Sequence, residues 1–444
     1  IKKAELSCEE IGVFSEEDGV AKISLFNMDD TITIFHISYY PKKMLKKNIS
    51  NTIYLKQKAH TLSDVFLKEE LKIPDKDKYP IFTIKPTGIN RLQTSITGLL
   101  TSQTSIVVQE SQGGGGSPNY RGMEANRLLL VIDGIQLNNA IYRSGHVQSS
   151  NTISPFFTES ISLISGPASV AYGNGAMGGA ILIKTLQPKT KTRITLHQQF
   201  ESSSNTVKTS FHANYHKKNF LHTTAFSLKS AGNLKMGERR LHGYELWGKE
   251  YVATINNEQL FTNYGQVDII HKTMYKSKNK EIGSNTQYSK STKIYRFDKM
   301  NDINNGQRRY EKWYYGPQER FLQSINYSSK SKAKAFEKIN IMMAYQDIKE
   351  SRHIQKANDN ALNNRFENVK ILDLNVDANK KLLGLNLVYG IGGRHEDVFS
   401  TANLSVYDEL LYNTTRYPGG GSKVQNVFAY SQVNIKIKKS LSVL

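Results

Sequence analysis

With 444 residues, 38% hydrophobic content, a mean hydropathy of −0.49 and a formal net charge of +20, the chain has room for two to four ordinary domains, or for one small domain and a large β structure. No run of about 18 apolar residues occurs, which excludes a transmembrane helix; a membrane β-barrel stays open, because its strands alternate and are never hydrophobic in bulk. The single cysteine, Cys8, excludes an internal disulfide and a Cys-based zinc site.

The 24 Tyr and 18 Phe weight the apolar surface toward aromatics, which suits half-buried strands better than a helical core. The positive charge admits nucleic-acid or anionic-lipid contact. Its lysines are scattered rather than massed on one helix, so it reads as loop and lumen charge with no nucleic-acid partner. Ile1-Lys2-Lys3-Ala4-Glu5 lacks the apolar stretch of a signal peptide behind it, and Leu6-Ser7-Cys8 lacks that of a lipoprotein signal. The expectation is that the front end of the protein lies upstream.

Residues 1–57 read as short strands: Gly12-Val13-Phe14, then a turn at Glu17-Asp18-Gly19, Val20 to Leu25, the β-branched run Thr31 to Ile37, and Asn51 to Leu55. This region resembles the later strands of a carboxypeptidase-regulatory-like β-sandwich, with Tyr39-Tyr40-Pro41 where that module usually has Gly-Tyr. Residues 58–89 are polar, with Pro74, Pro80 and Pro86, and read as a linker. Inside it Asp64-Val65-Phe66-Leu67 is a short apolar patch behind an acid.

In residues 90–187 the composition shifts to Gly-punctuated short strands. Asn126 to Leu137 predicts a buried strand, a type I′ turn at Asp133-Gly134 and a return strand. Glu159 to Ser165 is the next strand. Pro167 suits the first position of a short helix capped by Ser165 or Gly166, and Gly173 suits its left-handed end. Tyr172 precedes that glycine, and Gly178-Gly179 lets backbones approach before the strand Ala180 to Thr185.

From residue 188 to 444 the strands are long and alternate. Val207, Thr209, Phe211, Ala213 and Tyr215 share one face, and Thr206, Lys208, Ser210, His212 and Asn214 the other. Leu372, Leu374, Val376 and Ala378 oppose Asp373, Asn375, Asp377 and Asn379 in the same way. Strands of about ten residues with one apolar and one polar face fit a barrel in lipid; a soluble sandwich gives the same alternation with shorter strands. Phe200, Tyr215, Phe220, Phe226, Tyr288, Tyr389, Phe428 and Tyr430 are candidates for interfacial girdles. His212 and His216 would share the lumen face, as a haem or metal pair or simply as hydrated histidines; the second reading is adopted, with no metal and no cofactor. His395-Glu396-Asp397 lacks the second His of a zinc protease, Gly-x-Ser-x-Gly is absent, and Gly113 to Gly116 are not followed by Lys-Ser/Thr, so no enzyme is expected.

The order Leu129-Leu130-Val131-Ile132-Asp133-Gly134-Ile135, then Ser160 to Gly173 with Gly166-Pro167 inside it, then Gly178-Gly179-Ala180-Ile181-Leu182-Ile183, closely resembles the plug domain of TonB-dependent receptors. Upstream, Ser117 to Met123 contains Arg121-Gly122 and matches the Arg-Gly strand of that family. Ser165 departs from it, where Arg is common. The resemblance implies a mainly β chain: a small β-sandwich remnant, an α+β plug domain and an antiparallel transmembrane β-barrel of the Gram-negative outer membrane, in contact with its lipid. It implies a plug that blocks the lumen, a scarce small ligand, import energised by TonB with ExbB and ExbD, and in the Bacteroidetes type a surface lipoprotein partner. Asp64 to Leu67 is then a candidate TonB box, captured as an added strand, or a patch packed on the preceding module. The loop Asn138 to Ser150, with Tyr142, Arg143 and His146, either reaches ligand or is a solvated loop against the wall. A plug of about 100 residues has a radius of gyration near 13 Å and needs a barrel of about 22 strands. About ten candidate strands follow it, so an incomplete barrel is expected. The alternatives are a non-transporting outer-membrane adhesion or binding barrel, and a soluble basic β protein.

Overall fold

The computed structural model describes residues 4–8, 11–36, 38–56, 80–87, 93–103, 105–110, 114–141, 150–237, 254–304, 306–331, 333, 335–382, 385–407, 409–438 and 441–443. The chain divides into two compact units, Ile1–Lys72 and Ile73–Leu444.

In the first unit β1 (Glu5–Cys8), β2 (Ile11–Phe14), β3 (Thr31–Phe35) and β4 (Lys42–Leu45) form one antiparallel sheet in the order β2-β1-β3-β4. The alternation of Thr31 to Phe35 puts Ile32 and Ile34 inward, where they meet Leu6 and Phe26. Two expectations are corrected. Val20–Leu25 and Asn51–Leu55 are not strands; Ile23, Ile53 and Leu55 reach the same core from irregular backbone. Lys42–Leu45, which has no period-2 pattern to betray it, is one. Among the described residues a single sheet forms, without the second layer that a sandwich requires.

The second unit begins with a small mixed domain. Its main sheet runs β10-β9-β12-β11-β5, from β5 (Phe82–Ile84), β9 (Leu128–Ile132), β10 (Ile135–Gln136), β11 (Thr158–Ile164) and β12 (Gly179–Thr185). The central pair β9–β12 is parallel. That explains why Leu-Leu-Leu-Val-Ile is apolar throughout rather than alternating: all five residues are buried. Helix α1 (Ile96–Thr101) is capped by Ser95, whose Oγ accepts from Gly98 N at 3.1 Å, and it packs Ile96, Leu99 and Leu100 on the sheet. Phe82–Ile84 falls inside the stretch read as linker. Three residues between prolines carry too little pattern to be recognised, yet they pair with β11.

β6 (Ile106–Gln109), β7 (Ser117–Tyr120) and β8 (Met123–Glu124) make a second, three-stranded sheet. Arg121 and Gly122, expected within a strand, form the turn between β7 and β8, with φ of 50° and 78°. At Gly178 a Cβ would stand 2.5 Å from Met123 Cβ, and at Gly179, with φ 129°, 2.5 Å from Ile164 O. Only glycine admits these approaches.

A wall of ten long strands follows along one continuous antiparallel path: β13 (Arg193–Glu201), β14 (Thr206–Lys217), β15 (Phe220–Ala231), β16 (Tyr264–Lys276), β17 (Lys280–Ser291), β18 (Glu319–Lys330), β19 (Lys338–Lys356), β20 (Ala361–Leu382), β21 (Leu385–Val406) and β22 (Ser422–Lys438). Among the described residues the path is open: β13 pairs only with β14, and its other end carries the short strand Leu441–Val443. Phe211, Phe226, Ile269, Ile325, Met343, Leu372, Ile391 and Phe399 are exposed on one face, an apolar band far wider than a soluble monomer displays. The opposite face turns toward the small domain. One rim carries tight turns such as 218–219 and 277–279, the other the long connections 232–263, 292–318 and 407–421. No helix among the described residues is long and apolar enough to cross a membrane.

The girdle reading is corrected for two residues. Phe428 and Tyr430 face inward, over Gly392 and Gly390, where an added Cβ would meet Phe428 Cζ at 2.2 Å and Tyr430 Cε1 at 2.6 Å. Tyr430 OH donates to Asp377 Oδ1 at 2.7 Å.

Candidate functional site at the seam between small domain and wall

The turn at Asp133-Gly134 has φ of 50° and 87°, the positive pair that a type I′ hairpin demands. It carries the Asp133 carboxylate into the wall. Oδ2 accepts from Lys272 Nζ at 2.9 Å, Thr185 Oγ1 at 2.7 Å, Gln287 Nε2 at 3.0 Å and Asn285 Nδ2 at 3.1 Å. Oδ1 accepts from Thr185 N at 2.9 Å. The side chains of Asp133 and Lys272 are only 8% and 5% exposed. Burial alone would raise the Asp133 carboxyl. The adjacent Lys272 ammonium and the two Thr185 hydrogen bonds outweigh it and hold the group below the ordinary carboxylate range.

A second anchor lies at Arg394 of β21, whose side chain is 4% exposed. Its Nη1 reaches Asp373 Oδ1 at 3.1 Å and its Nε Glu396 Oε1 at 2.8 Å. The same guanidinium donates across the seam to Gln136 O at 3.0 Å and Asn138 O at 2.6 Å. Gln346 Nε2 also donates to Gln136 O, at 3.0 Å, and Ala140 N to Glu396 Oε2, at 2.7 Å. Asn138 is in turn fixed by Leu130 N and Leu128 O.

A third group holds the segment before β11. Gln266 Nε2 donates to Asn151 O at 2.8 Å, Arg320 Nη2 to Thr152 O at 3.2 Å, and Ser154 Oγ to Ser227 Oγ at 3.2 Å. Apolar contacts also cross the seam: Leu322, Met342 and Ala344 join the main plug core, Ile141 clusters with Ile348, Val369, Ile371 and Val398, and Phe157 with Ala225 and Ile270. Partners from β15 to β22 thus wrap the small domain. A cavity of about 360 Å³ remains in the seam, lined by Asp133, Gly134, Lys272, Asn285, Met342 and Asp377.

Of the residues singled out from sequence, Asp133 and Gly134 sit at this seam. Gly166 (φ 75°) and Gly173 (φ 110°) flank the 3-10 helix Pro167–Tyr172, and buried Tyr172 packs with Leu129, Val131 and Ile164. Arg121 lies over the Tyr120 ring, 5.1 Å from its centroid. Asp64, Val65, Phe66 and Leu67, and likewise Tyr142, Arg143 and His146, lie outside the described residues. His212 Nε2 pairs with Thr223 Oγ1 at 2.8 Å. Sequence reasoning missed Lys272, Arg320 and Arg394, whose one signal is a full charge on the inward period of an amphipathic strand.

The family model described as TonB-dependent Receptor Plug Domain matches residues 78–180, the small domain that the inner face of this wall contacts. Residues 78–180 are a plug domain of the TonB-dependent receptor type. The chain is 28% identical over 131 residues to Heme/hemopexin utilization protein C of Haemophilus influenzae (strain 86-028NP), covering 27% of this chain and 18% of that protein. It is 34% identical over 86 residues to Vitamin B12 transporter BtuB of Vibrio vulnificus (strain YJ016), covering 19% and 14%. Among solved structures, the chain superposes on Copper transporter OprC with a TM-score of 0.62 at 13% identity, over 80% of this chain and 52% of that one. The chain therefore spans about half of that structure and less than a fifth of the length of these curated relatives. A plug of this family within a wall of lipid-facing strands belongs to the Gram-negative outer membrane, and the family consists of receptors, not enzymes. Ser165 carries no charge; among the described residues a buried ion pair across the seam is made by Asp133 with Lys272.

Proposed function

We propose that the protein is an outer-membrane receptor that imports a scarce ligand, of siderophore, cobalamin, haem or glycan class, by energy-coupled displacement of its plug. The observation that carries this reading is the nature of the seam. Apolar contacts cross the seam where Leu322, Met342 and Ala344 join the plug core, and beside them the plug is tied to the wall by a buried ion pair at Asp133 and by hydrogen bonds from Arg394, Gln266, Arg320 and Ser154. Such polar contacts exchange for water at modest net cost, so a plug seated this way can move without its fold being lost. A double cysteine variant, Ser154→Cys with Ser227→Cys, tests it, since the two hydroxyls lie 3.2 Å apart and a disulfide there ties plug to wall. Ligand uptake by cells carrying it is expected to fall to background under oxidising conditions and to return with reductant, ligand binding unchanged. Full uptake through the oxidised protein would rule out displacement.

TonB, driven by ExbB and ExbD, supplies the pull in this reading, and Asp64-Val65-Phe66-Leu67 is the segment it captures as an added strand. Val65→Pro removes a backbone donor from that strand. Uptake is expected to drop at least about tenfold with ligand affinity intact; uptake at the unmodified level would refute the assignment. The loop with Tyr142, Arg143 and His146 follows Ile141 and is the plug's ligand-reaching segment. A surface lipoprotein would deliver ligand to the rim with the long connections.

A further inference from the structure

The contacts of Ile141 with Ile348, Val369 and Val398 fix which period of β19, β20 and β21 faces the plug. Two residues further toward the rim of long connections, the same period brings Glu350 opposite Glu367, which pairs on its other side with Ser400. The next rung brings Arg352 opposite Arg365. Like charges directly opposite on neighbouring strands destabilise a sheet, and here two such rungs are stacked. Arg416 closes the group from the connection 407–421: its Nη1 lies 3.7 Å from Glu367 Oε2, with its side chain 6% exposed. Arg352 stands 5.3 Å and 5.5 Å from the ring centroids of Tyr315 and Trp313.

Arg416 Nε and Nη2, Arg365 Nε and Ser400 Oγ are buried and have no hydrogen-bond partner among the described residues. Buried polar groups are almost always paired, and four such atoms in one cluster are not explained by packing. Three guanidinium groups face two carboxylates, which leaves the cluster positive. A group that completes it has to bring acceptor oxygens and negative charge, and a carboxylate matches the guanidinium fork with two parallel hydrogen bonds.

We propose that Arg352, Arg365 and Arg416, with Ser400, form a binding site in the receptor lumen for a small ligand bearing carboxylates, with Trp313 and Tyr315 as its apolar flank. The site rests on the reading of the chain as a receptor and names the chemical class of its ligand. Calorimetric titration of the receptor, purified from outer membranes in detergent, compares citrate with the neutral sugar maltose. Citrate is expected to bind, more weakly as salt rises, and maltose not to bind. Arg365→Gln and Arg416→Lys are each expected to weaken citrate by about tenfold or more, while Arg193→Gln, on exposed β13, leaves it unchanged. Arg416→Lys keeps the charge beside Glu367, so its fold is retained while two N–H donors are lost. Absence of citrate binding, equal affinity in all three variants, or binding of maltose in its place would overturn the site. Equilibrium binding needs no TonB, so that failure is distinct from a failure of import, which the uptake assays read.

Discussion

Replacing Asp133 with Ala is expected to destabilise the seated plug by about 3–5 kcal/mol, because it strands a buried ammonium at Lys272. The measurement is the rate at which trypsin cuts the plug of the detergent-purified receptor. It should rise by two orders of magnitude or more, by the conversion of about 1.4 kcal/mol per tenfold, while the wall strands stay protected. The double variant Asp133→Ala with Lys272→Met removes both charges and should recover most of the loss, since an ion pair replaced by apolar groups is often neutral. If the single and the double variant are cut at the same rate, the pair is not what holds the turn. The pH dependence has a definite sign. A carboxyl whose folded pKa lies below its unfolded value contributes stability above about pH 4, the unfolded range, and loses it as pH falls through the folded value. Plug protection should therefore be flat from neutral pH down to about 4 and decline only below it, and Asp133→Ala should abolish that acid step.

Arg394→Met is expected to be at least as damaging, about 3–5 kcal/mol or more. It leaves Asp373 and Glu396 buried without their cation and releases two plug carbonyls, Gln136 O and Asn138 O. Arg394→Lys keeps the charge but cannot hold two carboxylates and two carbonyls with one planar fork, so it should fall between. Urea titration with protease detection of the plug ranks the three proteins. Arg394→Lys matching the native protein would show that charge alone matters here, and Arg394→Met matching it would remove the anchor altogether.

The parts of this seam differ in how far sequence discloses them. Asp133-Gly134 was legible because a type I′ turn admits few residue pairs, and Gly178-Gly179 because a close backbone approach admits only one residue. The wall was legible from alternation: Val207, Phe211 and Tyr215 face out, as read. The same alternation hides partners. Lys272 and Arg394 stand in a polar period with many others, and Arg394 meets Asn138 from 256 positions away. Nothing local marks which lumen charge will find a plug carbonyl. Arg121-Gly122 was read as strand because a tight hairpin with short arms looks extended in sequence; both residues take positive φ. Phe428 and Tyr430 were assigned to lipid by residue type, although their side of β22 is set by register against β21.

Those two rings have a mechanical consequence. Gly390 and Gly392 leave a shallow trough on β21, and the aromatic planes settle into it instead of jutting toward the axis. On this side a Cβ at Gly173 would lie 3.5 Å from Phe428 Cε1, and Tyr430 packs against the plug cluster of Leu129, Tyr172 and Ala180, so the plug meets two aromatic rings of the wall. A Cβ at Gly392 would stand 2.2 Å from Phe428 Cζ, so Gly392→Ala pushes that ring toward the plug and, under the displacement proposed above, would act as a brake on import while the polar contacts of the seam stay as they are.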